Sequence, residues 1–75
     1  MPTRRFGEKL RTLRERRGLS LLRFARQIGF QSQSFVYKLE TGERNPNMEH
    51  LNKIAKFFGV SYDELLDDEV ELRSE

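Results

Sequence analysis

Within nine residues, Gln33, Ser34, Tyr37, Lys38 and Thr41 supply an amide, two hydroxyls, a phenol and an ammonium group. Ser34, Tyr37, Lys38 and Thr41 stand at i, i+3, i+4 and i+7, so on a helix they share one side, with Gln33 beside them at its N-terminal end. Val36 and Leu39 then point the other way. Such a face suits one task well: the major groove of B-DNA admits an α-helix and displays donor and acceptor edges that differ for each base pair. Gln33 has the side chain to bond adenine N6 and N7 together, and Lys38 can donate to guanine O6 and N7. Ser34 can serve a base or a phosphate, and Tyr37 can read a base or lie against the sugar-phosphate wall. A solvated helix face has the same composition, so these side chains alone leave both readings open.

Other chemistries find no foothold. The chain has no cysteine and one histidine, His50, which excludes disulfides, thiolate ligands and a zinc site. His50 has no carboxylate and serine arranged around it for catalysis and reads as a surface residue. The run "DDEVE" lacks the glycine and alternate ligand spacing of a calcium loop and reads as a solvated acidic end. No enzyme activity, cofactor or metal is expected.

Seventy-five residues, 36% hydrophobic and 35% charged, suffice for one small domain that is only just able to bury a stabilising core, so dimerisation would help. No apolar run approaches the roughly 18 residues of a membrane span, and "MPTRRFGEKL" lacks a signal peptide's apolar segment. An intracellular, cytoplasmic protein without membrane contact is the expectation. The net charge of +2 hides an asymmetry: residues 1–44 carry +7 and residues 45–75 carry −5. The basic half could meet a polyanion.

The elements that must position the polar stripe follow from periodicity and caps. Phe6, Leu10 and Leu13 behind a possible Thr3 N-cap predict a first helix over about 4–17, stopped at Gly18. Ser20 caps a second helix of about nine residues, whose apolar side holds Leu21, Leu22, Phe24, Ala25 and Ile28, and Gly29 ends it at a C′ position. A third begins at Gln31 or Ser32 and ends at Thr41-Gly42. After the loop "GERNPN", Asn47 caps a fourth with Met48, Leu51, Ile54, Ala55 and Phe58 as its buried stripe. Ser61 and Glu64 form a capping box opening a short fifth helix. Val70 and Leu72 alternate within "EVELR", as in a short edge strand or more helix. A helix pair joined by a glycine-containing turn, as helices 2 and 3 are, is the skeleton of a helix-turn-helix.

The order of residues narrows this further. "LRTLRERRGLSLLRFARQIG", "SQSFVYKLETGERNP" and "LNKIAKFFGVSYDELL" resemble the Cro/C1-type, or XRE-like, helix-turn-helix family over about residues 6–66. That resemblance implies an all-α, compact five-helix fold of the lambda-repressor kind over residues 1–68, with residues 69–75 an acidic tail. It also implies double-stranded DNA as partner, with Gln33, Ser34, Tyr37 and Lys38 reading bases. Arg23, Gln31, Ser32, Thr41, Arg44 and Asn45 would meet phosphates, and Arg14 would neutralise Glu40 in a structural ion pair. Two features depart from the family. Leu21 stands where a phosphate-clamping glutamine often follows the serine of helix 2, and the turn "GFQS" is one residue longer than usual.

The function implied is that of a transcriptional regulator, most simply a repressor, of bacterial or phage origin, acting as a homodimer on a two-fold related operator and associated with the nucleoid. Leu65, Leu66, Val70 and Leu72, at the end opposite in charge to DNA, are candidates for the dimer seam. The competing reading is an antitoxin-type module that binds a toxin through one surface and its own operator through another.

Overall fold

The computed structural model describes residues 5–73 as five helices in the order α1 (Phe6–Arg16), α2 (Leu21–Ile28), α3 (Gln33–Thr41), α4 (Met48–Phe58) and α5 (Tyr62–Leu66). Four of the starts are set by short polar side chains that satisfy an orphan amide. Ser20 accepts from Arg23 N–H, Ser32 from Phe35, Asn47 from His50 and Ser61 from Glu64. Arg5 stands at the start of α1 without a side-chain cap; the Thr3 expected there lies outside the described residues. Among the described residues no helix is long and apolar enough to cross a membrane.

One core joins all five helices: Phe6, Leu10 and Leu13 of α1, Phe24 and Ala25 of α2, Phe35, Val36 and Leu39 of α3, Leu51, Ile54 and Phe58 of α4, and Leu65 of α5. Three residues expected inside or in a seam are placed otherwise. Met48 is 65% exposed, because side chains tilt toward a helix's N-terminus and that of the first residue projects past the end of the core. Leu22 is exposed: Leu21, Phe24, Ala25 and Ile28 make the inward stripe at i, i+3, i+4 and i+7, and Leu22 lies about 100° off it. Leu65 is 0% exposed, which makes it part of the monomer core with no surface left for a partner.

Residues 67–73 form neither strand nor helix. They run as a strap over α1. The Lys9 side chain, 1% exposed, donates to the carbonyls of Asp67 at 2.7 Å and Val70 at 2.6 Å. Arg5 donates to the Asp68 carbonyl and to Glu71, and Arg16 donates to the Arg73 carbonyl. Glu64, also buried, accepts from Ser61 N–H and Arg73 N–H, and those bonds, the Ser61 one foremost, hold its carboxyl below the ordinary range. The backbone here finds partners in basic side chains instead of a ladder, because no strand lies beside it among the described residues. Lys9 itself stands on the stripe of Phe6, Leu10 and Leu13, at i+3 from the first and four before the last. An ammonium in that place is the sequence signal that the strap is tied to α1.

Candidate nucleic-acid interface

The turn between α2 and α3 begins at Gly29, in a left-handed conformation at φ 87°, and ends at the Ser32 cap. It sets α3 with Phe35, Val36 and Leu39 buried and with Gln33, Ser34, Tyr37, Lys38 and Thr41 exposed. Gln33, Ser34, Tyr37 and Lys38 have no side-chain hydrogen bond to any of the described residues, so their donors and acceptors face solvent unspent. Tyr37 is 54% exposed, with its phenol in solvent.

The residues expected to flank this stripe divide by how much of their bonding capacity is free. Arg23 and Gln31 are exposed on α2 and in the turn. Ser32 Oγ is already engaged as the acceptor for Phe35 N–H at 3.2 Å, which leaves its hydroxyl proton to give. Thr41 Oγ1 donates to the Lys38 carbonyl at 3.2 Å and accepts from Glu43 N–H, so its hydroxyl mainly closes the helix. Beyond it Gly42, at φ 88°, lets the chain turn back so that Gly42 and Arg44 both donate to the Lys38 carbonyl, at 3.1 and 3.2 Å. Arg44 and Asn45 are thereby carried to the C-terminal flank of α3, both exposed.

A glutamate at the end of such a face would repel phosphate. Glu40 does not reach it. Arg14 of α1 grips it with two parallel bonds, Nε to Oε2 at 2.7 Å and Nη2 to Oε1 at 3.2 Å. The two side chains are only 12% and 6% exposed. Arg14 also donates to the Leu19 carbonyl at 2.7 Å, so one guanidinium ties α1, the start of α2 and the end of α3 together. The Glu40 bonds hold the Arg14 proton even more firmly than usual.

His50 is a further residue that sequence reasoning placed differently. It is half-buried, not a bystander on the surface. Its Nδ1 accepts from Asn47 N–H at 3.1 Å while its own N–H donates to Asn47 Oδ1 at 2.8 Å, a reciprocal capping box with imidazole in the place glutamate or glutamine often takes. Its ring packs edge-on against Phe35, centroids 4.8 Å apart, and Phe30, 5.6 Å apart. Burial, opposed by Glu49 and helped by Arg44 and Lys53, lowers its proton affinity. A depressed histidine pKa means that the unfolded chain binds the proton first as pH falls. The stabilisation is therefore complete above about pH 6.5, the ordinary histidine value, and is lost as acidification proceeds toward the lower folded-state value. Melting temperature should fall through that window in the wild type. His50→Gln, whose amide oxygen can take over the cap, should lose that histidine-dependent drop; an identical slope in both proteins would remove His50 from the account.

Among the described residues no group of three His, Asp or Glu side chains is placed to hold a metal. What the arrangement can do is hydrogen-bond and neutralise charge.

Comparison with known proteins agrees on the kind of partner such a face serves. A helix-turn-helix family model matches residues 10–65. The chain is 44% identical over 64 residues to the HTH-type transcriptional activator BcrR of Enterococcus faecalis, covering 85% of this chain and 31% of that protein. It is 36% identical over 63 residues to the cryptic phage CTXphi transcriptional repressor RstR of Vibrio cholerae, covering 84% of this chain and 56% of the other. It thus spans about a third to a half of these curated relatives. With the control protein C.MunI of a Mycoplasma species it shares 38% identity over 65 residues, covering 85% of this chain and 86% of that one. The N-terminal DNA-binding domain of SinR from Bacillus subtilis superposes with a TM-score of 0.76 at 28% identity, covering 89% of this chain and 97% of that domain. With five helices in this order and a family match over most of its length, the chain belongs to the Cro/C1-type helix-turn-helix family of DNA-binding transcription regulators.

Proposed function

We propose that the chain binds a two-fold related operator in double-stranded DNA as a homodimer and regulates transcription by occupying promoter DNA, most simply as a repressor. The observation that carries this reading is the outward face of α3, where Gln33, Ser34, Tyr37 and Lys38 keep their hydrogen-bonding groups unspent on a helix fastened by its opposite face to the core. Gln33 and Lys38 read base edges, with Ser34 and Tyr37 beside them. Arg23, Gln31, Ser32, Arg44 and Asn45 set register on the phosphates, with Thr41 a weaker participant because its hydroxyl is already bonded. Leu66, Val70 and Leu72, each partly exposed, are the residues left for a dimer seam once Leu65 is assigned to the core. An isologous contact there would set two reading helices about one DNA turn apart, roughly 34 Å.

Selection from a pool of random duplexes tests the reading directly. The recovered site should contain two inverted half-sites centred about 10 base pairs apart. Gln33→Ala should relax preference at one position in each half-site, costing roughly 1–3 kcal/mol against the preferred base and leaving binding to unrelated sequences nearly unchanged. Equal weakening on every sequence would show that Gln33 faces the backbone and that another side of α3 enters the groove. Relatives named as an activator and as a repressor are both similar to this chain, so a reporter assay on the selected site decides the sign of the output.

A further inference from the structure

Arg44 is held in a way that differs from Arg14 and Arg5. Arg14 spends its guanidinium N–H groups on Glu40 and Leu19, and Arg5 spends its own on Asp68, Glu71 and Glu8. Arg44 instead lies over the ring of Phe35, its Cζ 5.4 Å from the centroid, and among the described residues it has no carboxylate partner. A contact with a ring face spends no conventional hydrogen bond, and the Arg44 side chain makes none among the described residues, so its N–H donors remain free for an oxyanion. The ring beneath it is itself fixed. Phe35 is 9% exposed and packs edge-on against Phe30, at 5.4 Å, and His50, at 4.8 Å, while His50 is locked to Asn47 by bonds in both directions. The backbone adds a second tether, Arg44 N–H to the Lys38 carbonyl at 3.2 Å.

We propose that Phe35 and His50 are positioning residues for DNA binding: the Phe35 ring, braced edge-on by His50, holds the Arg44 guanidinium against the flank of α3, so that a backbone phosphate is met in fixed register with the reading side chains. This rests on the reading that Arg44 contacts the DNA backbone. Phe35 belongs to α3 itself, so the phosphate contact and the base contacts move as one body. His50 comes from α4 and stops the ring from turning away. The arrangement spares Arg44 from being ordered at the moment of binding, which is where a long flexible side chain otherwise loses affinity.

The test is a double-mutant cycle read on a random-sequence duplex, because a phosphate contact acts on every sequence. Binding is measured across a range of salt concentrations for the wild type, Arg44→Ala, Phe35→Leu, the double variant and His50→Gln, with helical content checked by circular dichroism. Arg44→Ala should weaken binding and lower the magnitude of the salt slope by about one unit. Phe35→Leu should lower the slope in the same direction with Arg44 still present, and should have no further effect on it in the Arg44→Ala background. His50→Gln keeps an acceptor for Asn47 N–H but removes the ring, so a smaller loss of the same kind is expected from a protein whose cap is intact. It also serves if Phe35→Leu does not fold. Additive effects of Phe35→Leu and Arg44→Ala, or an unchanged slope in both Phe35→Leu and His50→Gln, overturn the positioning role while leaving Arg44 at the phosphate. An unchanged slope in Arg44→Ala removes Arg44 from the DNA backbone and the inference with it.

Discussion

Gly7→Ala is expected to lower the melting temperature by roughly 10 °C or more, as follows from a net loss of about 2 kcal/mol in a domain this small. Gly7 is a buried residue of α1 at the point where that helix crosses the C-terminal end of α3. A methyl group added there would fall onto the Glu40 carbonyl oxygen, and would stand 2.7 Å from Glu40 C and 2.8 Å from Leu39 O. Ordinary contact between such atoms needs about 3.5 Å, and the obstacle is helix backbone, which cannot rotate aside as a side chain can. Two effects oppose each other. Alanine in a helix interior gains about 1 kcal/mol over glycine, but the helices must part by a good fraction of an ångström along a contact that includes Phe6, Leu10 and Leu39. Overpacking of this kind costs typically about 1–3 kcal/mol, and with rigid backbone as the obstacle the upper end, about 3 kcal/mol, applies, so the clash wins by about 2 kcal/mol. Because the displaced end is that of the proposed reading helix, DNA affinity should fall more than stability does. A thermal melt with an unchanged or raised midpoint would show that helix propensity decides at this position and that the approach is looser than the geometry implies.

How much of this was legible in the residues depends on whether the cause is local. The caps at Ser20, Asn47 and Ser61 were, because each satisfies an amide two or three residues away and short polar side chains before an apolar run announce that. The stops at Gly29 and Gly42 were as well, for the same reason of local geometry. The outward stripe of α3 followed from period alone. What sequence did not disclose are contacts between residues distant along the chain. Gly7 looks like an ordinary weakness in α1 until α3 is laid across it. Lys9 interrupts the apolar stripe of α1, which marks it as out of place, but only the carbonyls of Asp67 and Val70 explain its burial. His50 seemed to stand among exposed positions of α4, yet Phe30 and Phe35 arrive from the turn and from α3 to cover it. Met48 sat on an apolar period and is nonetheless outside, since periodicity does not say where a core ends along the helix axis.

The other large effect concerns the pair that joins α1 to the same end of α3. Arg14→Met should destabilise the fold by on the order of 3 kcal/mol, because it strands a nearly buried carboxylate, and so lower the melting temperature by roughly 15 °C in a domain of this length. The loss comes chiefly from what remains. The Glu40 carboxyl is left without its partner in a site that is 6% exposed, and the Leu19 carbonyl loses its donor. The companion variant separates the pair's net worth from the cost of breaking it. In Arg14→Met with Glu40→Met, no charge is stranded, and two flexible apolar side chains can fill most of the vacated volume, so much of the lost stability should return. Full recovery is not expected, since the Leu19 carbonyl is still left without a donor. Binding should not return in step. With the tie between helices gone, the end of α3 is held only by packing, and a reading helix that is stable but less exactly aimed loses base contacts before it loses phosphate contacts. Circular dichroism melts of the single and double variants, followed by binding to a selected site and to random duplex, check both halves. If the double variant melts as low as Arg14→Met, the damage lies in lost packing or in the Leu19 carbonyl, not in a stranded charge.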